Sequence, residues 1–125
     1  MKLITLNAID STNEYIKLNK SLFSQNSLVV YSFNQTNGKG QRGKIWSSRP
    51  YKNICISFYN KIEKTSDEML FKTNLFTSLA VLEILKFYDI PKLKIKWPND
   101  IMSGNRKIAG ILIETTVVKL SLIHI

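Results

Sequence analysis

The stretch Gly38-Lys39-Gly40-Gln41-Arg42-Gly43-Lys44-Ile45-Trp46 sets three glycines and three cations within nine residues. Glycine carries no Cβ, so backbone N–H groups at 38, 40 and 43 can approach a phosphate closely, while Lys39, Arg42 and Lys44 add positive charge. A solvated glycine-rich surface loop would use the same residues, and a short glycine motif alone does not decide between the two. The surrounding segment, Gln35 to Pro50, is mostly polar or basic and reads as a long, flexible loop, of which Gln35 to Trp46 is expected to be mobile when empty.

On either side of this loop the periodicity alternates between strand and helix. Leu3 to Ile9 reads as a short strand. The turn Asp10-Ser11-Thr12-Asn13 then opens a helix, with Ser11 as N-cap and Glu14 completing a capping box. Tyr15, Leu18 and Leu22 lie on one helical face, which predicts a helix to about Phe23. Ser27 to Phe33 and Ile54 to Tyr59 read as strands. A second capping box, Thr65 with Glu68, starts a helix that runs to about Tyr88, with Asp67 in its first turn. Phe71, Leu75, Leu79, Leu82 and Leu85 are spaced for one buried stripe. Asp89-Ile90-Pro91 ends it. Leu93 to Trp97, Lys107 to Glu114 and Val117 to Ile125 read as strands, with turns at Pro98-Asn99-Asp100 and Ser103-Gly104-Asn105.

The 125 residues suit one domain, and no repeat or linker divides them. No apolar run is long enough to span a bilayer, and the opening residues lack a secretory signal, so a cytoplasmic location is expected. Cys55 is the single cysteine, which excludes an intramolecular disulfide and suits a small buried hydrophobe. A net charge of +9 attracts anions, whether nucleic acid, a phosphorylated ligand or an acidic protein. The cations are spread along the chain, and the cluster that stands out lies among the glycines. His124, the one histidine, reads as an incidental strand residue.

Three segments, taken in order, carry a resemblance. Asp10-Ser11-Thr12-Asn13, Gly38 to Trp46, and Lys96-Trp97-Pro98-Asn99-Asp100 followed by Arg106-Lys107-Ile108-Ala109-Gly110-Ile111-Leu112-Ile113-Glu114 are similar to elements of the biotin–protein ligase catalytic domain. The resemblance implies an α/β (α+β) fold. It has a mixed, largely antiparallel sheet with helices on one face, the class II aminoacyl-tRNA synthetase-like biotin/lipoate ligase fold. It implies activation of biotin with ATP to biotinyl-5'-AMP and transfer to a lysine of a biotin carboxyl carrier domain of a biotin-dependent carboxylase. ATP and biotin are the substrates, with Mg²⁺ alongside. Residues 1–125 would be the catalytic domain, truncated at its C-terminus. An N-terminal DNA-binding domain and the C-terminal β-barrel domain are not expected. No nucleic acid or membrane partner is expected, and a homodimer is compatible with the reading.

The resemblance also implies roles. Lys107, Lys39 and Arg42 are the expected catalytic cations, Lys107 standing against both the biotin carboxylate and the α-phosphate. Ser11, Thr12, Asn13, Gln35, Lys39, Gly40, Gln41, Lys107 and Gly110 would contact biotin, whose neutral ureido ring needs matched donors and acceptors rather than charge. Ser11 can serve as a mere helix cap while Thr12 and Asn13 face the ligand. Gly38, Gly40, Arg42, Gly43, Lys44, Trp46, Lys96 and Asn99 would contact ATP or the adenylate, and Trp46 would serve equally well as a core anchor. Asn99 and Asp100 would orient the site, or Asp100 would bind Mg²⁺. Gln41 stands where some family members carry arginine, which implies looser retention of the intermediate. Three rivals remain: a lipoate–protein ligase, a non-catalytic biotin-binding fragment, and a basic nucleic-acid-binding module.

Overall fold

The computed structural model describes residues 1–19, 26–118 and 121–124. They divide into two compact units, 1–63 with 114–125, and 64–113. The sequence, which shows no linker, does not announce this division.

The first unit is built on a five-stranded sheet whose strands are, in spatial order, β1 (Lys2–Leu6), β2 (Ser27–Ser32), β5 (Cys55–Ile62), β10 (Ser121–His124) and β9 (Thr115–Val118). β1 and β2 run parallel, and every other pairing is antiparallel. Parallel neighbours need a crossover, and helix α1 (Thr12–Asn19) lies in that connection. Strand alternation sends Leu28 and Val30 of β2 and Tyr59 of β5 to the same face, where Ile16 of α1 joins them in a buried core. Ile4, Leu6 and Tyr15 pack at its margin. Cys55 is buried, as expected of a small apolar side chain. The chain from Val117 onward is not one strand but two, with Ser121 paired to Val118 and His124 to Thr115; Ile125 lies outside the described residues, as do Leu22 and Phe23 of the expected first helix.

Helix α1 corrects the expected stripe. Ile16 is fully buried, whereas Leu18 is 77% exposed. Ser11 does cap: its Oγ accepts from the Glu14 N–H at 3.4 Å. The box is not reciprocal, because Asp10 Oδ1 takes the Ser11 N–H at 2.8 Å. That leaves the Glu14 carboxylate free to meet cations.

The expected loop from 35 to 50 is partly a hairpin. β3 (Gly38–Lys39) pairs antiparallel with β4 (Ile45–Trp46), and a tight turn at 41–43 joins them.

The second unit sets helix α2 (Asp67–Phe87) beside a three-stranded antiparallel meander of β6 (Leu93–Lys96), β7 (Asp100–Ser103) and β8 (Arg106–Gly110). A bulge between Ile101 and Met102 leaves Ile108 without a partner in the register. β8 ends at Gly110, so the expected strand to Glu114 is shorter. The fully buried residue of β7 is Ile101, and the α2 stripe departs from expectation, with Phe71 51% and Leu79 40% exposed while Ser78 is buried. The cap of α2 is Ser66, one residue later than expected: its side chain accepts from Met69 N–H at 3.1 Å. Thr65 Oγ1 is buried with no hydrogen-bond partner among the described residues. Glu68 pairs instead with Lys72 at 2.7 Å.

These two neighbours should therefore respond oppositely in urea unfolding. Ser66→Ala should lower stability by about 0.5–2 kcal/mol, the usual worth of an N-cap. Thr65→Val removes an unsatisfied hydroxyl at constant shape and should leave stability unchanged or raised. Equal losses at both positions would contradict the assignment of the cap.

Candidate functional site

In the first unit the segment at residues 9–10, which leads into the turn, is docked against residues 34–37 by backbone hydrogen bonds. Ile9 N–H donates to Asn34 O at 2.9 Å, Thr36 N–H to Ile9 O at 2.9 Å, and Asn37 N–H to Asp10 O at 2.8 Å. This seats Thr12 beside Gln35, where Thr12 N–H donates to Gln35 Oε1 at 3.1 Å. The Thr12 hydroxyl meets Ser57 Oγ at 2.7 Å and lies 3.3 Å from Gln35 Oε1. Ser57 Oγ in turn donates to Asn13 Oδ1, and Asn13 Nδ2 donates to Glu114 Oε2 at 3.0 Å. Ser11, Thr12 and Ser57 are buried. The cluster is therefore a set of uncharged donors and acceptors paired with one another, which is what burial demands of polar groups.

Charges border this cluster. Lys17 Nζ lies 2.9 Å from Glu114 and 3.2 Å from Glu14, and Lys39 Nζ lies 3.5 Å from Glu14. Burial works to lower the Lys17 pKa, but hydrogen bonds and charge from Glu114 and Glu14 outweigh it and hold the ammonium above its ordinary range. A raised pKa means that this contribution to stability is present below the ordinary lysine range and is lost as pH climbs through the folded value.

The hairpin begins against the cluster. A Cβ on Gly38 would collide with Gln35 Nε2 and would stand 2.7 Å from Trp46 O, so only glycine lets the Gln35 amide lie there. Beyond it, Gly40 N–H donates to Lys44 O at 2.7 Å and Lys44 N–H to Gln41 O at 3.1 Å. Arg42 sits in the left-handed region at φ 54°, which costs a non-glycine residue about 1–2 kcal/mol. Gly43 follows at φ 75°. The side chains of Gln41, Arg42 and Lys44 are exposed at the tip, whereas Trp46 is half-buried.

The second unit gathers the other expected residues. Asn99 is buried, donating from Nδ2 to Ile111 O at 2.6 Å while Ile111 N–H returns a bond to Asn99 O at 3.0 Å. These bonds tie the turn after β6 to the end of β8. Asn74 Nδ2 of α2 donates to Pro98 O at 3.1 Å, and the Trp97 ring stands 5.4 Å from that of Phe71. The Trp97–Pro98 peptide is cis. Lys107 Nζ lies 2.8 Å from Asp100 Oδ1. In register, Asp100 faces Lys96 on one side and Gly110 on the other. No three His, Cys, Asp or Glu side chains gather as metal ligands among the described residues.

The expected residues thus fall into two sets in different units: Ser11, Thr12, Asn13, Gln35 and the hairpin in the first, Lys96, Asn99, Asp100, Lys107 and Gly110 in the second. Sequence reading missed Ser57, Glu14 and Glu114 as members. The signal for Ser57 was a small polar residue at an inward position between Cys55 and Tyr59 of an otherwise apolar strand face.

The sequence pattern of the biotin/lipoate A/B protein ligase family matches residues 5–125. The bifunctional ligase/repressor BirA of Salmonella typhimurium is 32% identical over 111 residues, covering 89% of this chain and 34% of its own. The biotin protein ligase from Aquifex aeolicus in complex with biotin and ATP is similar with a TM-score of 0.73 at 28% identity, over 98% of this chain and 50% of that one. The biotin protein ligase from Leishmania major in complex with biotinyl-5-AMP gives 0.73 at 25% identity, over 98% and 55%. The chain spans about a third of the length of the curated relative it matches. No helix among the described residues is long and apolar enough to cross a membrane.

The two glycines that flank Lys39 should differ. Gly38→Ala should cost about 1–3 kcal/mol, the usual penalty for forcing atoms into a filled space, because Gln35 and the Trp46 carbonyl must move. Gly40→Ala, whose Cβ would meet only Lys44 atoms at 3.5 Å and beyond, should be nearly neutral. Urea unfolding of the two variants checks this, and equal effects would refute it.

Proposed function

Because this chain belongs to the biotin/lipoate A/B protein ligase family, we propose that it serves ATP-dependent activation of biotin and its transfer to a carrier lysine. The observation that carries the reading is the group of neutral donors and acceptors at Thr12, Asn13, Gln35 and Ser57, buried at Thr12 and Ser57 and half-buried at Asn13 and Gln35, set against the glycine-bearing hairpin. A urea-like ring is uncharged and needs such matched partners. Ser11, Thr12, Asn13 and Gln35 form that end of the biotin site, with Gly40, Gln41 and Gly110 contributing contacts along the ligand.

In the first step a biotin carboxylate oxygen attacks the α-phosphorus of ATP. The bond between the α-phosphorus and the bridging oxygen breaks, and pyrophosphate leaves with that oxygen. Two anions must meet, so fixed cations are the means of lowering the barrier. Lys39 pairs with Glu14 in this structure, and a ligand carboxylate takes the place of that partner. Lys107, oriented by Asp100, serves both the carboxylate and the α-phosphate. Arg42 and Lys44 sit at the hairpin tip, and the hairpin closes over the adenylate, with Gly38, Gly43 and Trp46 lining it. Lys96 adds positive charge, and Asn99 shapes the turn that supports the site. In the second step the carrier lysine's neutral amine attacks the acyl carbon, AMP leaves, and the nitrogen gives up a proton.

Asp100 does not fit a resident Mg²⁺: its carboxylate is engaged by Lys107, and no cluster of further ligands joins it among the described residues. The carrier is expected to be acidic, given the net charge of +9; transfer rates independent of salt would count against that.

Calorimetric titration with biotin, with and without ATP, tests the reading. Biotin should bind, and lipoate should compete poorly. Lys107→Ala should slow adenylate formation by about 10²–10³-fold, the scale of losing one preorganised electrostatic group, with the unfolding transition retained. Steeply salt-dependent binding to nucleic acid and no uptake of biotin would replace this reading with a nucleic-acid module.

A further inference from the structure

The chain of hydrogen bonds from Glu114 to Gln35 has a direction, and its donors and acceptors decide which. A carboxylate salt-bridged to Lys17 can only accept, so Asn13 must turn Nδ2 to Glu114 and Oδ1 to Ser57. The Ser57 hydrogen is then committed to Asn13. The contact of 2.7 Å between the two hydroxyls must therefore be a bond from Thr12 to Ser57. With its single hydrogen used there, Thr12 Oγ1 cannot also donate to Gln35 Oε1, 3.3 Å away. Among the described residues, Gln35 Oε1 then accepts only from Thr12 N–H at 3.1 Å, which leaves the second of its two lone pairs for a ligand. Were the relay reversed, Ser57 would donate to Thr12, and the Thr12 hydrogen would turn to Gln35 Oε1 and fill that lone pair.

We propose that Glu114 is a positioning residue for ligand recognition. Its acceptor-only carboxylate fixes the direction of the Asn13–Ser57–Thr12 relay, so that the Gln35 amide keeps an open acceptor. That acceptor complements a ligand N–H, as in a cyclic urea. The inference rests on the functional reading above, and it adds a determinant 101 residues away from Asn13 in sequence. Glutamine at 114 can present either end of its amide, so it permits both directions.

The test is biotin titration of the unsubstituted protein, Glu114→Gln, Lys17→Met, Ser57→Ala and the double variant Ser57→Ala/Glu114→Gln. Glu114→Gln should weaken binding about tenfold, the scale of one hydrogen bond. Lys17→Met removes the ion pair but keeps the acceptor, and binding should stay within about twofold. With the relay cut by Ser57→Ala, the added Glu114→Gln should cost less than about twofold, because coupled sites are not additive. Unchanged binding in Glu114→Gln overturns the inference. So does a Lys17→Met loss as large as that of Glu114→Gln, or losses at 57 and 114 that simply multiply. Absence of biotin binding by the unsubstituted protein overturns the functional reading and the inference with it.

Discussion

The Thr12 hydroxyl and backbone N–H are the point at which helix α1, strand β5 and the segment before the hairpin are held together in the first unit. Thr12 is buried, and a buried polar group left unpaired costs about 1–3 kcal/mol. Ser57 and Gln35 must therefore be where they are, and that requirement reaches outward. Gln35 can lie against the hairpin only because residue 38 has no Cβ, and Ser57 engages Asn13, which engages Glu114. A low local dielectric strengthens such a network while it is complete and makes any gap in it costly.

This polar layer lies beside an apolar one. Ile16, Leu28, Val30 and Tyr59 supply burial that is non-directional and drives collapse. The hydroxyl and amide groups add direction, since each bond admits one donor and one acceptor. The same unit thus uses hydrophobic burial to form the helix–sheet layer and hydrogen bonding to choose how α1 presents its first turn. The second unit makes a parallel choice with different parts. The two bonds between Asn99 and Ile111 fix the turn after β6, and Lys107 and Asp100 approach within 2.8 Å on adjacent strands. In both units the residues proposed to meet ligand stand next to one that orients them: Lys39 beside Glu14, Lys107 beside Asp100.

Much of this was legible along the chain because it depends on near neighbours. Ser11 as the cap of α1, the strand character of β2 and β5 and the existence of the long helix α2 follow from backbone chemistry within a few residues. Misreadings occurred where two nearby residues offered the same chemistry. Ser66 and Thr65 can both cap, and only the helix's first turn shows which does. The α2 stripe was misplaced for a related reason: Phe71 and Leu79 are apolar at helical spacing, but spacing says which residues share a face and not whether that face is covered.

The order of motifs, the charge of the hairpin and the family these imply were set by composition and local spacing, which a linear chain displays directly. The membership of Ser57 and Glu114 was decided only in three dimensions, since they meet Asn13 across 44 and 101 residues. No local preference marks a serine or a glutamate for such a partner. Sheet pairing and helix docking bring them together, and the need to satisfy buried donors then assigns each its bond.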